Sequence, residues 1–266
     1  MSVEVRSIEL PRDSAQFIRA WWPIYADDPH WVPPLLMERK QFFDPGQNPY
    51  FRTADVRCWM AWRDGVAVGT IAATVDHRLQ ESEPNTGMFG FFEFIDDEEI
   101  ARALLDAALA WLRGQGMTSA RGPFNFNSNH EFGLLIDGFD TDPCIANPHN
   151  RSYYGAMYER LGLDKAMDWY AYWLDKGPMP ERVERISARF MERHPDVTLR
   201  RADLSRFDRE VELFYEIYND AWNDNWGHIH FERDEFEFVA KGLKQVINPD
   251  LVWFAYVGDE VAGCTI

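Results

Sequence analysis

Met88-Phe89-Gly90-Phe91-Phe92-Glu93-Phe94-Ile95 runs directly into Asp96-Asp97-Glu98-Glu99-Ile100-Ala101-Arg102-Ala103-Leu104-Leu105, and the second run stays helical in pattern to Gly114. The first eight residues are almost continuously apolar and of strand length, the pattern of a strand covered on both faces. Glu93 is the one charge in that run. The residues that follow place Ile100, Leu104, Ala108 and Trp111 on one stripe with Leu105 and Leu112 beside it, and Gly114 supplies a stop. Asp96 and Glu99 have capping-box spacing, and four carboxylates in the first turn suit the positive end of the helix. A buried strand feeding an amphipathic helix predicts an α/β protein with a mixed sheet.

Working outward, residues 3–8 alternate as a strand, and Asp13-Ser14 is a candidate N-cap for a helix carrying Phe17, Ile18, Trp21, Trp22, Ile24 and Tyr25. Pro29, Pro33 and Pro34 end regular structure around a rigid apolar loop, Trp31 to Leu35. Residues 56–75 read as a hairpin turning at Asp64-Gly65, and residues 76–86 as an irregular loop. Residues 117–124 and 165–174 read as further strands, the latter alternating Trp169, Ala171 and Trp173 with Tyr170 and Tyr172.

Between these lies Arg121-Gly122-Pro123-Phe124-Asn125-Phe126-Asn127-Ser128-Asn129-His130-Glu131, with carboxamides at alternate positions. An extended backbone would aim Asn125, Asn127 and Asn129 the same way, as a substrate-binding surface; the plainer reading is a loop whose Asn side chains bond their own backbone.

Asp175-Lys176-Gly177-Pro178-Met179-Pro180 is the best linker, and the pattern then starts afresh. A helix over 181–193 with Val183, Ile186 and Phe190 inward, a strand over 197–202, helices over 207–222 and 232–247, and a strand pair over 251–266 follow. At an offset of 194 residues Trp59-Met60-Ala61-Trp62 falls on Trp253-Phe254-Ala255-Tyr256, Gly69 on Gly263, and Val3-Glu4-Val5-Arg6 on Val197-Thr198-Leu199-Arg200. With a one-residue adjustment Ile24-Tyr25 falls on Ile217-Tyr218. Ordered matches across three elements predict a tandem repeat, residues 1–176 and 177–266, with the second copy incomplete. A sheet cut short leaves an unpaired edge, so the expectation is either a fragment or completion by another chain.

A formal net charge of −17 argues against nucleic acid or an anionic membrane as partner. No apolar run approaches bilayer-spanning length, and the start has no signal-peptide character. Cys58, Cys144 and Cys264 are odd in number and far apart, the simplest expectation being free thiols in a reducing cytoplasm. Aromatic strand faces are compatible with a homodimer that covers an edge. His228-Ile229-His230 with Glu232 is a weak metal-ligand pattern beside an aromatic loop, and no metal is expected.

Ala156-Met157-Tyr158-Glu159-Arg160-Leu161-Gly162-Leu163, with Asn150 upstream, resembles the closing motif of the GNAT superfamily of acyl-CoA N-acyltransferases, and the chain is similar to uncharacterised bacterial tandem GNAT-like proteins. The resemblance spans residues 1 to 174 as a whole domain and 197 to 266 as a partial one. It implies an acyl-CoA N-acyltransferase-like fold, acetyl-CoA or another acyl-CoA as cofactor, and a small-molecule amine as acceptor. It also implies Glu93 as general base and Tyr158 as proton donor, with Asn125, Asn127, Asn129, Asn150 and Tyr154 shaping the acceptor site. A carboxylate among phenylalanines is desolvated and its pKa raised, which suits a base. Glu93 at a solvent-facing bulge and Tyr158 packing with Tyr154 are the plain alternatives.

The family's glycine-rich pyrophosphate turn is replaced by Asp96-Asp97-Glu98-Glu99, which would repel a diphosphate, so the first domain is not expected to bind coenzyme A in the usual way. The second copy stops short of its own cofactor loop. The competing expectation is a non-catalytic GNAT-fold module that binds a small ligand or serves assembly.

Overall fold

In the computed structural model, which describes residues 2–174, 177–244 and 246–266, the chain forms two compact units. The first runs to Asp168 and includes Gly227–Ile229; the second comprises Trp169–Trp226 and His230–Ile266.

The first unit opens with β1 (Glu4–Ile8) and two short helices, α1 (Ser14–Arg19) and α2 (Trp21–Ile24), where the sequence predicts one. Pro23 has no N–H to give the carbonyl of Arg19, so the helical ladder breaks there. Asp13 precedes α1, but its carboxylate accepts from the Glu9 N–H instead of capping the helix. α3 (Leu36–Phe42) follows the proline loop.

β2 (Ala54–Arg63) and β3 (Val66–Asp76) form the expected hairpin. Asp64 and Gly65 both have positive φ, 54° and 78°, as a two-residue turn matched to strand twist requires. One turn of helix, α4 (Leu79–Ser82), interrupts the stretch predicted as irregular. Then come β4 (Thr86–Phe94), α5 (Glu98–Gly114) and β5 (Ser119–Arg121). The five strands lie in the order β1-β2-β3-β4-β5, antiparallel except for the parallel β4–β5 pair.

α5 buries Ile100, Ala101, Leu104, Leu105, Ala108 and Leu112 on this sheet. Gly69 permits the close approach, because a Cβ there would lie 2.7 Å from both Leu104 Cδ1 and the Glu93 carbonyl oxygen. The cap of α5 is Asp97 rather than Asp96: its carboxylate accepts from the N–H groups of Glu99 and Ile100.

The strand predicted over 117–124 divides at Gly122-Pro123, since proline cannot donate to a ladder. Its second part, β6 (Phe124–Asn125), pairs with β7 (Glu131–Phe132) apart from the main sheet. α6 (Tyr154–Arg160) completes the regular structure of the unit. This is the mixed α/β architecture that the GNAT resemblance implies.

Residues 165–174 are not a strand. Tyr170, Tyr172, Trp173 and Leu174 are exposed, and no ladder among the described residues includes this stretch, so alternation of side chains alone does not make a strand. The predicted linker falls partly on Asp175 and Lys176, which lie outside the described residues, as does the predicted boundary at 176/177.

In the second unit α7 (Glu181–Arg193) forms as expected, but Val183, Ile186 and Phe190 are exposed rather than inward. β8 (Val197–Arg201), α8 (Phe207–Trp222), α9 (Arg233–Leu243), β9 (Trp253–Val257) and β10 (Glu260–Thr265) follow, with the strands ordered β10-β9-β8. Phe207, Val211, Phe231 and Phe236 form its core, and the Asn219 side chain both donates to and accepts from the Phe231 backbone.

The two sheets share their register. Val5 opposes Ala61 and Arg6 opposes Met60; 194 residues on, Leu199 opposes Ala255 and Arg200 opposes Phe254. The bulge that shifts β3 against β2 between Ala61 and Trp62 recurs between β9 and β10, at Val261/Gly263. Strand register and bulge position are independent of the side-chain matches in the sequence.

Candidate active site

β4 has β5 beside it only from Thr86 to Met88. Past that point its outer backbone groups need other partners, and side chains of the same unit supply them. The β3–β4 register shifts between Thr70 and Ala72, and Phe91 at this bulge has φ 46°. The Phe91 N–H donates to Asn125 Oδ1 at 2.6 Å. Gly90 lets β6 approach, since a Cβ there would lie 1.7 Å from the Phe124 carbonyl oxygen. The Phe94 N–H donates to Tyr154 Oη at 2.9 Å, and the Phe94 carbonyl accepts from Tyr153 Oη at 2.6 Å.

Glu93 sits at this opening, half-buried. Its Oε2 accepts from Tyr25 Oη at 2.6 Å and from Tyr154 Oη at 2.8 Å, while Oε1 has no hydrogen bond among the described residues. Burial raises the carboxyl above its ordinary pKa; the two tyrosine hydroxyls pull it part of the way back, and the charge of Glu131 adds to the rise. The tyrosines respond in the opposite sense: burial and the Glu93 charge push both hydroxyls well above ten, so they remain donors.

Of the residues singled out in the sequence, Glu93, Tyr154 and Asn125 come together along the outer half of β4. The three alternate asparagines do not share a direction, contrary to expectation. Asn127 Nδ2 donates to Asp76 Oδ2 at 3.1 Å while its Oδ1 takes the Asn129 N–H, and Asn129 Nδ2 donates to the Ile229 carbonyl. Only the Asn127–Asn129 contact is local, of the kind a loop makes to satisfy its own backbone; the other two tie the loop to Asp76 and to Ile229, distant in sequence. Asn150 accepts from the Leu135 N–H and donates to the carbonyls of Leu135 and Arg151. Tyr158 lies in the core against Phe89 and Phe92, with ring centroids 6.2 and 5.5 Å away, and burial holds its hydroxyl well above ten.

The first turn of α5 does not fit a coenzyme A pyrophosphate. Asp97 already occupies the Glu99 and Ile100 amides, and Arg63 is committed to Asp97 at 2.6 Å and to Glu99 at 2.9 Å. A diphosphate would have to displace a carboxylate from the helix end and face Asp96 and Glu98 beside it.

Tyr25 and Arg63 were missed by sequence reasoning. Tyr25 carries the pattern of an ordinary core position at the end of α2, and nothing local signals a contact with Glu93, 68 residues away. Among the described residues no group of three His, Cys, Asp or Glu side chains could hold a metal ion, and no helix is long and apolar enough to cross a membrane.

Over 267 residues the chain is 39% identical to the bacterial ceramide synthase of Caulobacter vibrioides, covering 99% of this chain and 69% of that protein. The chain belongs to that protein's family. It is also 35% identical over 257 residues to protein YghO of Escherichia coli, covering 95% of this chain and 65% of that one. The chain thus spans about two thirds of the length of these relatives. No family model matches it. Solved structures similar to it include a predicted acetyltransferase with acetyl-CoA from Clostridium acetobutylicum (TM-score 0.42, 11% identity, 64% of this chain and 95% of that one). Another is the ribosomal-protein-alanine N-acetyltransferase of Brucella melitensis (TM-score 0.39, 13% identity, 66% of this chain and 99% of that one).

Proposed function

We propose that this chain belongs to an acyl-CoA-dependent N-acyltransferase, and that its first unit receives the acceptor amine at Glu93. The observation that carries the reading is a carboxylate of raised pKa with one oxygen clamped by two tyrosines and the other uncommitted. An amine arrives as an ammonium ion and cannot attack a carbonyl until it loses a proton; Glu93 Oε1 is placed to take it. The relative named as a ceramide synthase supports an acceptor that carries its amine on a long alkyl chain, because a ceramide is the amide of such an amine. Tyr158, whose hydroxyl keeps its proton, is the proton donor in this proposal. The shared register and bulge support residues 1–176 and 177–266 as related copies, and the self-capped α5 argues that the first copy does not hold the acyl donor in the family's usual manner.

Mass-spectrometric detection of the amide formed by the full-length protein from a long-chain acyl-CoA and a long-chain primary amine tests this. Glu93→Gln should lower kcat/KM by about 100-fold or more, the contribution of a positioned base. A second reading, a binding module without chemistry, is favoured by Asn125, Tyr153 and Tyr154 filling the open edge of β4. Binding of the amine without turnover under any condition would select it.

A further inference from the structure

We propose that Tyr25 is a positioning residue for Glu93, fixing which carboxylate oxygen faces the acceptor. The inference rests on Glu93 being the amine-receiving carboxylate and names a residue outside the family's closing motif.

Tyr25 is itself held from several sides. Its ring stacks on Trp31 at 4.9 Å with planes 7° apart, and Trp31 meets Trp22 edge-on at 5.2 Å. α2 is pinned to the sheet by Trp21, whose Nε1 donates to Thr70 Oγ1 at 2.9 Å and whose ring stacks on Phe91 at 5.8 Å. The Tyr25 hydroxyl therefore has little freedom when it donates to Glu93 Oε2. Tyr154 approaches the same oxygen from α6, its ring stacked on Phe94 at 4.3 Å and its hydroxyl also receiving the Phe94 N–H. Two donors fixed on one oxygen stop the carboxyl group from turning and leave Oε1 without a hydrogen bond among the described residues. They also favour the ionised form against burial.

The groups that bear on Glu93 are Tyr25 at the end of α2, Tyr153 at the start of α6, Tyr154 and Tyr158 from α6, and Glu131 from β7, which pairs with Arg39 at 2.9 Å. Glu131 raises the carboxyl, and only the two hydroxyl contacts lower it. Removing one hydroxyl while keeping the ring should therefore move the titration upward and free the rotation.

The test is Tyr25→Phe in the full-length protein, read in two ways. Difference infrared spectroscopy across a pH series follows the Glu93 carboxyl band, assigned by its loss in Glu93→Gln. The pH profile of kcat/KM for amide formation gives the second reading. Tyr25→Phe should raise the infrared midpoint and the acid limb of the rate profile together, and lower kcat about 10-fold with KM changed less than about threefold, the pattern of a misplaced base. A purely structural role would lower activity at all pH values and move neither midpoint. Unchanged midpoints with Glu93→Gln inactive would overturn the positioning role. If Glu93→Gln instead leaves turnover intact, the base assignment fails, and with it the role proposed for Tyr25, whatever the infrared midpoint does. Trp31→Leu, which keeps the hydroxyl but removes its ring support, should shift both midpoints in the same direction by less, and serves if Tyr25→Phe does not fold.

Discussion

His130 shows how a single buried ring ties this fold to pH. It meets the rings of Phe42, Tyr50 and Phe126, and burial, reinforced by the Arg78 and Arg39 charges against an opposing Asp76, lowers its pKa from 6.5 to about 3. The folded pKa lies below the unfolded one, so the neutral ring favours folding. That contribution is complete above about pH 6.5 and is lost as pH falls toward 3. The melting temperature of the wild type should therefore fall through this window, and that of His130→Gln should fall less steeply. Equal slopes would remove His130 as the cause. The same logic runs the other way at Glu93, whose raised carboxyl favours folding only while protonated, so its contribution is lost as pH rises through its folded pKa.

At the scale of elements, the first turn of α5 separates two carboxylates that the sequence makes look alike. Asp97 caps two amides and pairs with Arg63, whereas Asp96 is exposed and lies 4.0 Å from Arg160. Asp97→Ala should cost about 1–2 kcal/mol in urea unfolding, the worth of a lost cap, and Asp96→Ala less than about 0.5 kcal/mol. The reverse order would restore the capping-box reading. The glycines equated by the repeat differ in the same manner. Gly69 is roofed by Leu104, while a Cβ at Gly263 meets nothing within 4 Å, so Gly69→Ala should destabilise far more than Gly263→Ala in the same assay.

For the molecule as a whole, two units with separate cores predict two calorimetric transitions. One core gathers β2 to β4 with α5 and α6; the other gathers Phe207, Val211, Phe231 and Phe236. Gly90→Ala, which drives a Cβ into the Phe124 carbonyl, should lower one transition and leave the other within about 1 °C, if each unit unfolds on its own core. A single transition that moves as a unit would show the cores to be coupled.

Much of this was legible beforehand because periodicity is local. The alternating and near-continuous apolar runs gave β1 to β4, the stripe gave α5, and Asp64-Gly65 gave the hairpin; the common register and bulge of the two sheets were not read from the offset of 194. Strands, helices and turns follow from residues within a few positions of one another, and sequence alone determined them. It also marked Glu93, because a charge among phenylalanines is conspicuous without a structure. Only the tertiary structure decided what surrounds that charge. Tyr25 reaches it from the end of a helix 68 residues earlier and Tyr154 from one 61 residues later, Asn125 turns to a bulge in β4, and residues 165–174 alternate without forming a strand. Each of these depends on a backbone or side-chain group brought close by folding, and chain spacing carries no record of which distant groups will meet.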